Sequence, residues 1–326
     1  MSSETDKKGE FEFKKFEDIP VSTKTFIVMT NLQIDIQKLF DFLPITDYIV
    51  VPKRRGRKKK NTITDPNKNI LDGSIITLDL ANNIRGVVLK KKKKKDGKVN
   101  DYFRNSVTVV MIIDGKKINF KISRNGKFQM TGCKQDNQAE GCVKFIWEYI
   151  KSNKDIYTIP EKKSFKALFI PAMRNIDFSL GFILDREKLD EYFNTQTKYY
   201  SLLETSIGYT GVNIKIPVTK PITDLLIKEL TYKGDRWLTP KFIPYQKYLD
   251  TLKPKEQQKK LDKERFNTFL VFHSGKCICS SMCEDFARET YYEFIDIIRK
   301  NYKEFEEKLE APEEKTKPVK KSPLKF

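Results

Sequence analysis

Length, composition and charge already exclude several classes of protein. The chain has 326 residues, 39% of them apolar and 33% charged, and its net charge at pH 7 is +19. A chain of this length can bury a sizeable core, and its positive charge favours a polyanionic partner, nucleic acid before an anionic membrane surface. A transmembrane helix needs about 20 consecutive apolar residues, whereas the longest unbroken run here is Val109–Ile113.

The counts of histidine and cysteine limit the kinds of active site and the cellular compartments to be expected. The chain has one histidine, His273, so we expect neither a His-based catalytic triad nor most kinds of zinc-hydrolase site. Five cysteines indicate a reducing compartment rather than a disulfide framework. The N-terminus lacks the apolar stretch that is typical of a secretory signal. We therefore expect a protein that is neither secreted nor bound in a membrane.

The chain begins with a charged segment, and a first structural unit follows it. Residues 1–22 predict a disordered tail, and the first unit follows over 23–155. Its opening strand is Thr25–Leu32, and Asp35 is a suitable N-cap for the helix that follows. Residues 51–100 carry 16 Lys and Arg against 4 Asp and Glu. This lysine-rich insertion is interpreted either as a solubilising or targeting loop or as a DNA-contacting arm.

The first unit ends with a hairpin and a helix. The strand Val107–Ile113 comes before the stretch NFKISRNGKFQMTGCK, which spans residues 119–134. The Asn125-Gly126 turn within it, flanked by alternating residues, is the strongest short-range signal for a hairpin. A helical pattern then covers Gln135–Lys151.

A second unit, over 164–310, repeats the first. Asp185 follows Asp35 by 150 positions, and Gly275 of a second hairpin follows Gly126 by 149. Two unrelated features that share one spacing indicate a duplicated unit of about 150 residues. The elements predicted for this part of the chain are the strands Asn175–Phe182 and Gly211–Ile216, an insertion over about 219–265 with helical stretches Asp224–Leu230 and Tyr245–Leu252, the hairpin Val271–Lys276, the helix Glu284–Lys308 and a disordered tail over 311–326.

These elements predict an α+β fold. Strands joined by hairpins pair in antiparallel fashion, and the long helices can cover only one side of the sheet. The other face is then free, and a ligand would bind there.

Short motifs in both units resemble the TATA-box-binding protein family. In that family each half has a strand, a helix, a run of antiparallel strands and a long helix, and its hairpins read Phe-x-Ser-Gly-Lys, then Thr-Gly-Ala-Lys. The matching stretches here are Asn125–Lys127, Met130–Lys134 and Phe272–Lys276. The resemblance covers roughly 25–310 without the insertions, and the lysine-rich loops look more like versions encoded by large DNA viruses than cellular ones.

The resemblance implies a fold and a function. The fold would be a saddle in which two pseudo-repeats form a curved antiparallel sheet with long helices on its convex face. The function would be that of a transcription initiation factor that binds TATA-like promoter DNA in the minor groove and kinks it with aromatic wedges. The resemblance implies a protein that is not an enzyme. Its implied partners are double-stranded DNA, a TFIIB-like initiation factor and RNA polymerase, with no cofactor, metal ion or small-molecule substrate. The implied location is the nucleus or, for a viral protein, a cytoplasmic viral factory or the virion.

The family's DNA contacts can be carried over by position. They fall on Thr25, Lys121, Ser123, Lys127, Gln129, Thr131, Asn175, Tyr209, Leu270, Phe272, Lys276, Ile278 and Ser280. Phe272 and Tyr209 would be wedges, while Leu270 and Ile278 would touch the groove floor.

The remaining contacts would be polar. The hydroxyls of Thr131 and Ser280 would reach base edges, as would Asn175, whose counterpart in the first unit is Thr25. Lys127 and Lys276, at the hairpin turns, would contact phosphates.

Several of these positions depart from the family pattern. Ser123 and Ser106 stand where the first unit should carry its wedges, and Lys121 and Gln129 replace apolar residues. Asp177 would point a carboxylate at the groove. Our hypothesis is that the first unit grips the DNA backbone while the second supplies the wedge.

Other interpretations of single residues stay open. Phe272 could be buried beneath an insertion, and Thr131 and Ser280 could cap the helices that follow them. Three cysteines and a histidine superficially suggest a zinc site: Cys277, Cys279, Cys283 and His273. Alternation within the strand instead predicts that the first two cysteines face the helix-covered core, and the spacing lacks the usual paired C-x₂-C pattern.

Two other functional classes stay open as well. A generic nucleic-acid-binding or accessory protein, including a binder of RNA or single strands, could use the same fold without promoter specificity. An enzyme built on the fold would require clustered acids on the free face, where Asp177 is the single candidate.

Overall fold

The computed structural model describes residues 13–51, 66–89, 105–160, 164–203 and 211–308. Its strands are β1 (Val21–Thr30), β2 (Gln33–Ile34), β3 (Ile75–Leu80), β4 (Asn83–Gly86), β5 (Ser106–Ile113), β6 (Lys116–Ser123), β7 (Lys127–Cys133), β8 (Tyr157–Thr158), β9 (Phe165–Ser179), β10 (Tyr200–Leu203), β11 (Gly211–Pro217), β12 (Leu226–Lys233), β13 (Arg236–Trp237), β14 (Lys241–Pro244), β15 (Phe266–Phe272) and β16 (Lys276–Ser281). Its helices are α1 (Ile36–Phe42), α2 (Asp136–Ile150), α3 (Arg186–Gln196), α4 (Tyr245–Leu249), α5 (Pro254–Leu261) and α6 (Glu284–Phe305).

One large antiparallel sheet dominates the described chain. Fourteen of the described strands belong to it, and its longest path runs β10-β11-β15-β16-β9-β1-β7-β6-β5-β3-β4. The strands β1 and β9 pair at its centre, and each is followed outward by strands from its own part of the chain. We call residues 21–160 the first half and residues 164–308 the second half. The predicted antiparallel sheet is confirmed.

Equivalent hydrogen bonds hold the hairpin turn of each half. The N–H groups of Thr30, Ile34, Leu180 and Leu184 donate to the carbonyls of Gly126, Arg124, Gly275 and His273, respectively. Gly126 and Gly275 have φ angles of 66° and 71°, and a Cβ on either would overlap the backbone carbonyl of Leu32 or Phe182. Both turns therefore require glycine, for its left-handed conformation and for its lack of a side chain.

The two long helices α2 and α6 lie on the same face of the sheet, which we call the helix face. Lys24 of β1 and Arg174 of β9 are direct cross-strand partners, so their side chains point to the same side. Lys24 Nζ lies 2.7 Å from Asp136 Oδ1 at the start of α2, and Arg174 Nη2 lies 3.5 Å from Glu284 Oε2 at the start of α6. We call the opposite side of the sheet the open face.

An apolar core lies beneath the helix face in each half. In the first half, Phe120 is fully buried, with its ring centroid 6.2 Å from that of Phe128. In the second half, Phe269 stacks on Phe294 of α6 with 4.2 Å between ring centroids. Alternate residues of each strand point into these cores, and burial of their apolar surface supplies the main driving force for the fold.

The segment 13–22 differs from the sequence-based prediction. The sequence predicts a disordered tail over 1–22, but Phe16 and Ile19 are buried in the core of the second half. The ring centroid of Phe16 lies 5.5 Å from that of Tyr291 in α6, whose hydroxyl donates to the carbonyl of Lys14. The prediction was wrong for residues 13–22 because two apolar anchors outweigh the charge around them. Residues 1–12 and the predicted tail over 311–326 lie outside the described residues.

The insertion of the second half contains both strands (β12, β13 and β14) and helices (α4 and α5). The sequence predicts a helix over Asp224–Leu230, but this stretch enters β12, which pairs with β9 on one side and β14 on the other. A second predicted helix, Tyr245–Leu252, is confirmed in the shorter form α4. Within the described ranges, no helix combines the length and apolar character needed to span a membrane.

Candidate nucleic-acid interface

In the second half, the apolar residues that the sequence predicts to contact DNA lie side by side on the open face. Leu270 of β15 pairs directly with Ile278 of β16, which in turn pairs with Asp177 of β9. Phe272 lies two residues beyond Leu270 on the same side of β15, is half-buried, and pairs with Gly211. A Cβ at position 211 would come within 2.7 Å of the Leu270 side chain, so the glycine leaves room for this apolar group.

A polar row crosses the open face beside these apolar residues. Ser280 pairs with Thr268 on one side and with Asn175 on the other, and Asn175 pairs with Thr23 across the centre of the sheet. The Oδ1 atom of Asn175 is itself buried and makes no hydrogen bond with any described residue. Thr25, the predicted counterpart of Asn175, is half-buried two positions further along the same strand as Thr23.

Asp177 lies on the open face as the sequence predicts. Its carboxylate is exposed and accepts a hydrogen bond of 3.1 Å from the hydroxyl of Ser22. An acid at this place repels phosphate and weakens any contact with a carbonyl-rich groove floor nearby.

The first half presents mainly polar groups on its open face. Lys121 pairs with Gln129, and Ser106 pairs with Ser123. Thr131 is exposed, and its hydroxyl donates to the carbonyl of Asn119 over 3.3 Å. No aromatic side chain occupies these positions, so an aromatic wedge would have to come from the second half.

The alternative in which Thr131 and Ser280 cap helices is wrong. The N-cap of α2 is Gln135, which takes part in a reciprocal capping box with Gln138. The N-cap of α6 is Cys283, and no side chain caps that terminus. Both hydroxyls lie within strands, several residues before the helices begin.

The open face is not free along its whole length, contrary to the sequence-based expectation. Near the outer edge of the first half, the open-face residues Val110, Ile112 and Ile76 are buried against a small cluster. The side chains that cover them are Tyr48, Ile70 and Leu89. The strand β5 therefore buries both of its faces, as its unbroken apolar run should have indicated.

The insertion of the second half covers a further part of the open face. Ile27 and Met29 of β1 alternate with the core residues Phe26 and Val28, so they point to the open face. Both pack against a cluster whose members include Ile170, Ile227, Tyr245, Tyr248 and Leu249, most of them from the insertion. The exposed part of the open face thus lies mainly on the second half and on β6 and β7.

The two turn lysines differ in their surroundings. Lys276 is exposed and pairs with Ser179 at the edge of the second-half surface. Lys127 is half-buried, pairs with Met29, and lies within electrostatic reach of Lys260 in the insertion. Tyr209 and two segments of the lysine-rich insertion, residues 52–65 and 90–100, lie outside the described residues.

Cys277 and Cys279 belong to the core of the second half, whereas Cys283 is half-buried. Cys277 and Cys279 are buried on the helix face, as alternation predicts, and burial raises the pKa of Cys279 to about 12. His273 instead pairs with Glu307 at the surface. Among the described residues, no three His, Cys, Asp or Glu side chains are grouped so that they could hold a metal ion.

Comparisons with known proteins give two viral relatives. No protein-family model matches the sequence. The uncharacterized protein 335L of invertebrate iridescent virus 6 is 27% identical over 228 residues, 67% of either chain. A TATA-box-binding protein-like protein of Acanthamoeba polyphaga mimivirus is 33% identical over 159 residues, 42% of either chain. The predicted resemblance is confirmed. The chain is a distant homologue of this TATA-box-binding protein-like viral protein.

Among solved structures, the TBP of Methanococcus jannaschii is similar to this chain. The superposition covers 86% of this chain and 98% of the archaeal one, with a TM-score of 0.40 and 13% sequence identity.

Proposed function

We propose that this TBP-like protein is a viral transcription initiation factor that binds promoter duplex DNA in the minor groove and bends it. The observation that carries the proposal is the surface of the second half, where Phe272, Leu270 and Ile278 adjoin the polar groups of Ser280 and Asn175. A narrow groove with acceptors on its floor suits such a surface, which combines apolar contact with a few donors. The distant homology to a TATA-box-binding protein-like protein supports the same function.

The two halves would act differently in this function. Phe272 would enter between base steps and kink the duplex, since inserted apolar side chains unstack neighbouring bases. Lys121, Lys127 and the hydroxyls of the first half would hold the sugar-phosphate backbone, which fixes position without reading sequence. No catalytic step is part of this proposal.

The implied partners belong to the proposal too. A bent promoter complex would recruit a TFIIB-like factor and RNA polymerase. This would take place in the nucleus or, for a viral protein, in a cytoplasmic viral factory or the virion.

A bending assay with matched variants tests the function. Duplexes of about 25 base pairs carrying fluorophores at both ends report the bend by energy transfer, at one fixed salt concentration because the electrostatic term varies with salt. Phe272→Ala should abolish most of the bend, whereas Ser123→Ala at the matching position should change it little. Equal losses would contradict the division of labour, and a straight duplex with the unaltered protein would contradict bending altogether.

A second function, nonspecific nucleic-acid binding without promoter recognition, is favoured by one observation. Two apolar clusters cover parts of the open face in the first half, which leaves less surface for a duplex groove. Competition among A·T duplex, G·C duplex and RNA at matched salt separates the two functions. Equal competition by all three would favour the nonspecific one, and selection of bound duplexes from random sequence would define any promoter preference.

A further inference from the structure

Four cations crowd together where the insertion meets the first hairpin. Lys260 at the end of α5 has Lys127, Arg265 and Lys263 as its interacting positive neighbours. We call these four residues the Lys260 cluster. Burial and then these three charges lower the pKa of Lys260 below its ordinary value of 10.5, while Glu256 opposes them with the weakest effect.

The structure fixes the cluster beside the open face. Lys127 is the cross-strand partner of Met29, whose side chain packs against the insertion on that face. Lys260 Nζ lies 5.5 Å from the ring centroid of Tyr248, which belongs to the same apolar cluster. Lys127 and Lys260 therefore stand on a packed support.

Arg265 connects the cluster to strand β15. Its guanidinium donates to the carbonyl of Lys260 over 2.6 Å and to the carbonyl of Lys263 over 2.8 Å, which holds the loop after α5 in place. The next residue, Phe266, begins β15, and that strand carries Leu270 and Phe272 on the open face. A duplex lying along β15 would bring its backbone towards these charges.

The described part of the chain shows no ion pair that includes Lys127, Lys260, Lys263 or Arg265. Glu256 acts on Lys260, but more weakly than the three neighbouring cations do. Like charges held together repel one another and raise the free energy of the folded state. A bound polyanion removes that repulsion, and DNA phosphates supply closely spaced negative charges along the groove.

We propose that the Lys260 cluster is a phosphate-binding clamp through which the insertion holds the backbone of duplex DNA beside the open face. This inference rests on the proposed function, since it needs a duplex on β15. The insertion would thus both limit the exposed open face and fix the position of the duplex at its border. The clamp adds affinity without reading sequence, as phosphate contacts do.

The salt dependence of DNA binding tests the clamp. The full chain, a Lys260→Ala/Lys263→Ala variant and a Lys300→Ala/Lys303→Ala control are titrated with a 25-base-pair A·T-rich duplex between about 50 and 300 mM KCl. The control removes two lysines from the end of α6, where Lys300 pairs with Asp296. Arg265 stays intact because its guanidinium holds the loop.

The clamp predicts a specific change in slope. The slope of log K against log salt is negative, and each lost phosphate contact reduces its magnitude by about 0.9. The magnitude for the cluster variant should therefore fall by about 1.8, with binding about tenfold or more weaker at 100 mM KCl. The control should keep the slope of the unaltered protein. Thermal unfolding of both variants is measured alongside, and midpoints no lower than that of the unaltered protein show that the fold is intact.

Other outcomes would overturn the inference. Binding with an unchanged slope in the cluster variant, or an equal loss in the control, would overturn the clamp and leave the proposed function standing. A slope change seen with duplex RNA but not with duplex DNA would overturn the clamp as a DNA contact. Absence of duplex binding by the unaltered chain would overturn both proposals.

Discussion

The two halves of the protein share one face of the sheet and differ on the other. On the helix face, Phe120 and Phe269 lie 149 positions apart, and both are fully buried against another aromatic ring. On the open face, the same offset matches Ser123 with Phe272 and Gln129 with Ile278. Burial against a helix restricts a position to apolar residues of suitable volume, whereas an exposed face can change its chemistry without loss of the fold.

The largest expected effect tests whether the two cores are equivalent. Phe120→Ala and Phe269→Ala should each lower the free energy of unfolding by about 3–5 kcal/mol, because each removes a buried ring and leaves a cavity. Urea denaturation of the full chain measures both. The cores would be unequal if one variant lost less than about 1 kcal/mol while the other lost the expected amount.

The rate at which buried cysteines are alkylated compares how tightly the same two cores are closed. Burial raises the pKa of Cys133 in the first half to about 11 and of Cys279 in the second to about 12, from an ordinary value of 9.0. Because the thiolate is the reactive form, both should be alkylated at pH 8 at least about a hundredfold more slowly than in urea. Mass spectrometry of peptides after timed labelling measures each rate. Fast labelling of one alone would show that its core opens.

The same raised pKa values predict that the stability of the fold decreases at alkaline pH. The folded state keeps these thiols protonated. Their contribution to the free energy of unfolding is therefore complete below pH 9, the ordinary pKa that they have in the unfolded chain. It is lost as the pH rises towards 11 and 12, because the unfolded chain then releases protons that the folded chain retains. Stability that rose over this range would contradict the burial of the thiols.

A smaller effect is expected from making the open faces alike. Ser123→Phe places an aromatic side chain where the second half carries Phe272, so it should increase the bend and tighten duplex binding by about tenfold, the size of one good base–aromatic contact. The energy-transfer bending assay measures it, with Ser123→Ala as the control. A bend unchanged by the new ring would show that the first half does not approach the bases.

Much of the fold could be predicted from local signals. The glycine turns at 126 and 275, the aspartate caps at 35 and 185 and their shared spacing predict the order of elements, and the structure shows the same hydrogen bonds around both turns. Strict alternation also predicts that Cys277 and Cys279 face the core, which the structure confirms.

The misassigned segments share one physical cause, since each depends on a partner distant in sequence. Leu226–Lys233 is a strand because β9 and β14 lie on either side of it, and its local pattern cannot report those neighbours. Residues 13–22 are ordered because Phe16 packs against Tyr291 and Arg174, which lie far along the chain. The unbroken apolar run of β5 was the one local sign that the open face would be covered there.

The order of the elements, the turns, the caps and the apolar positions of the strands could be predicted from the sequence, because these follow from local backbone preferences and from periodicity. Which parts of the open face stay exposed, and which cations stand beside it, depends on the tertiary structure. The insertion over Ile27 and Met29 and the crowding of Lys127 with Lys260 arise between segments more than a hundred residues apart. Only packing brings such segments together, so no local pattern could have predicted them.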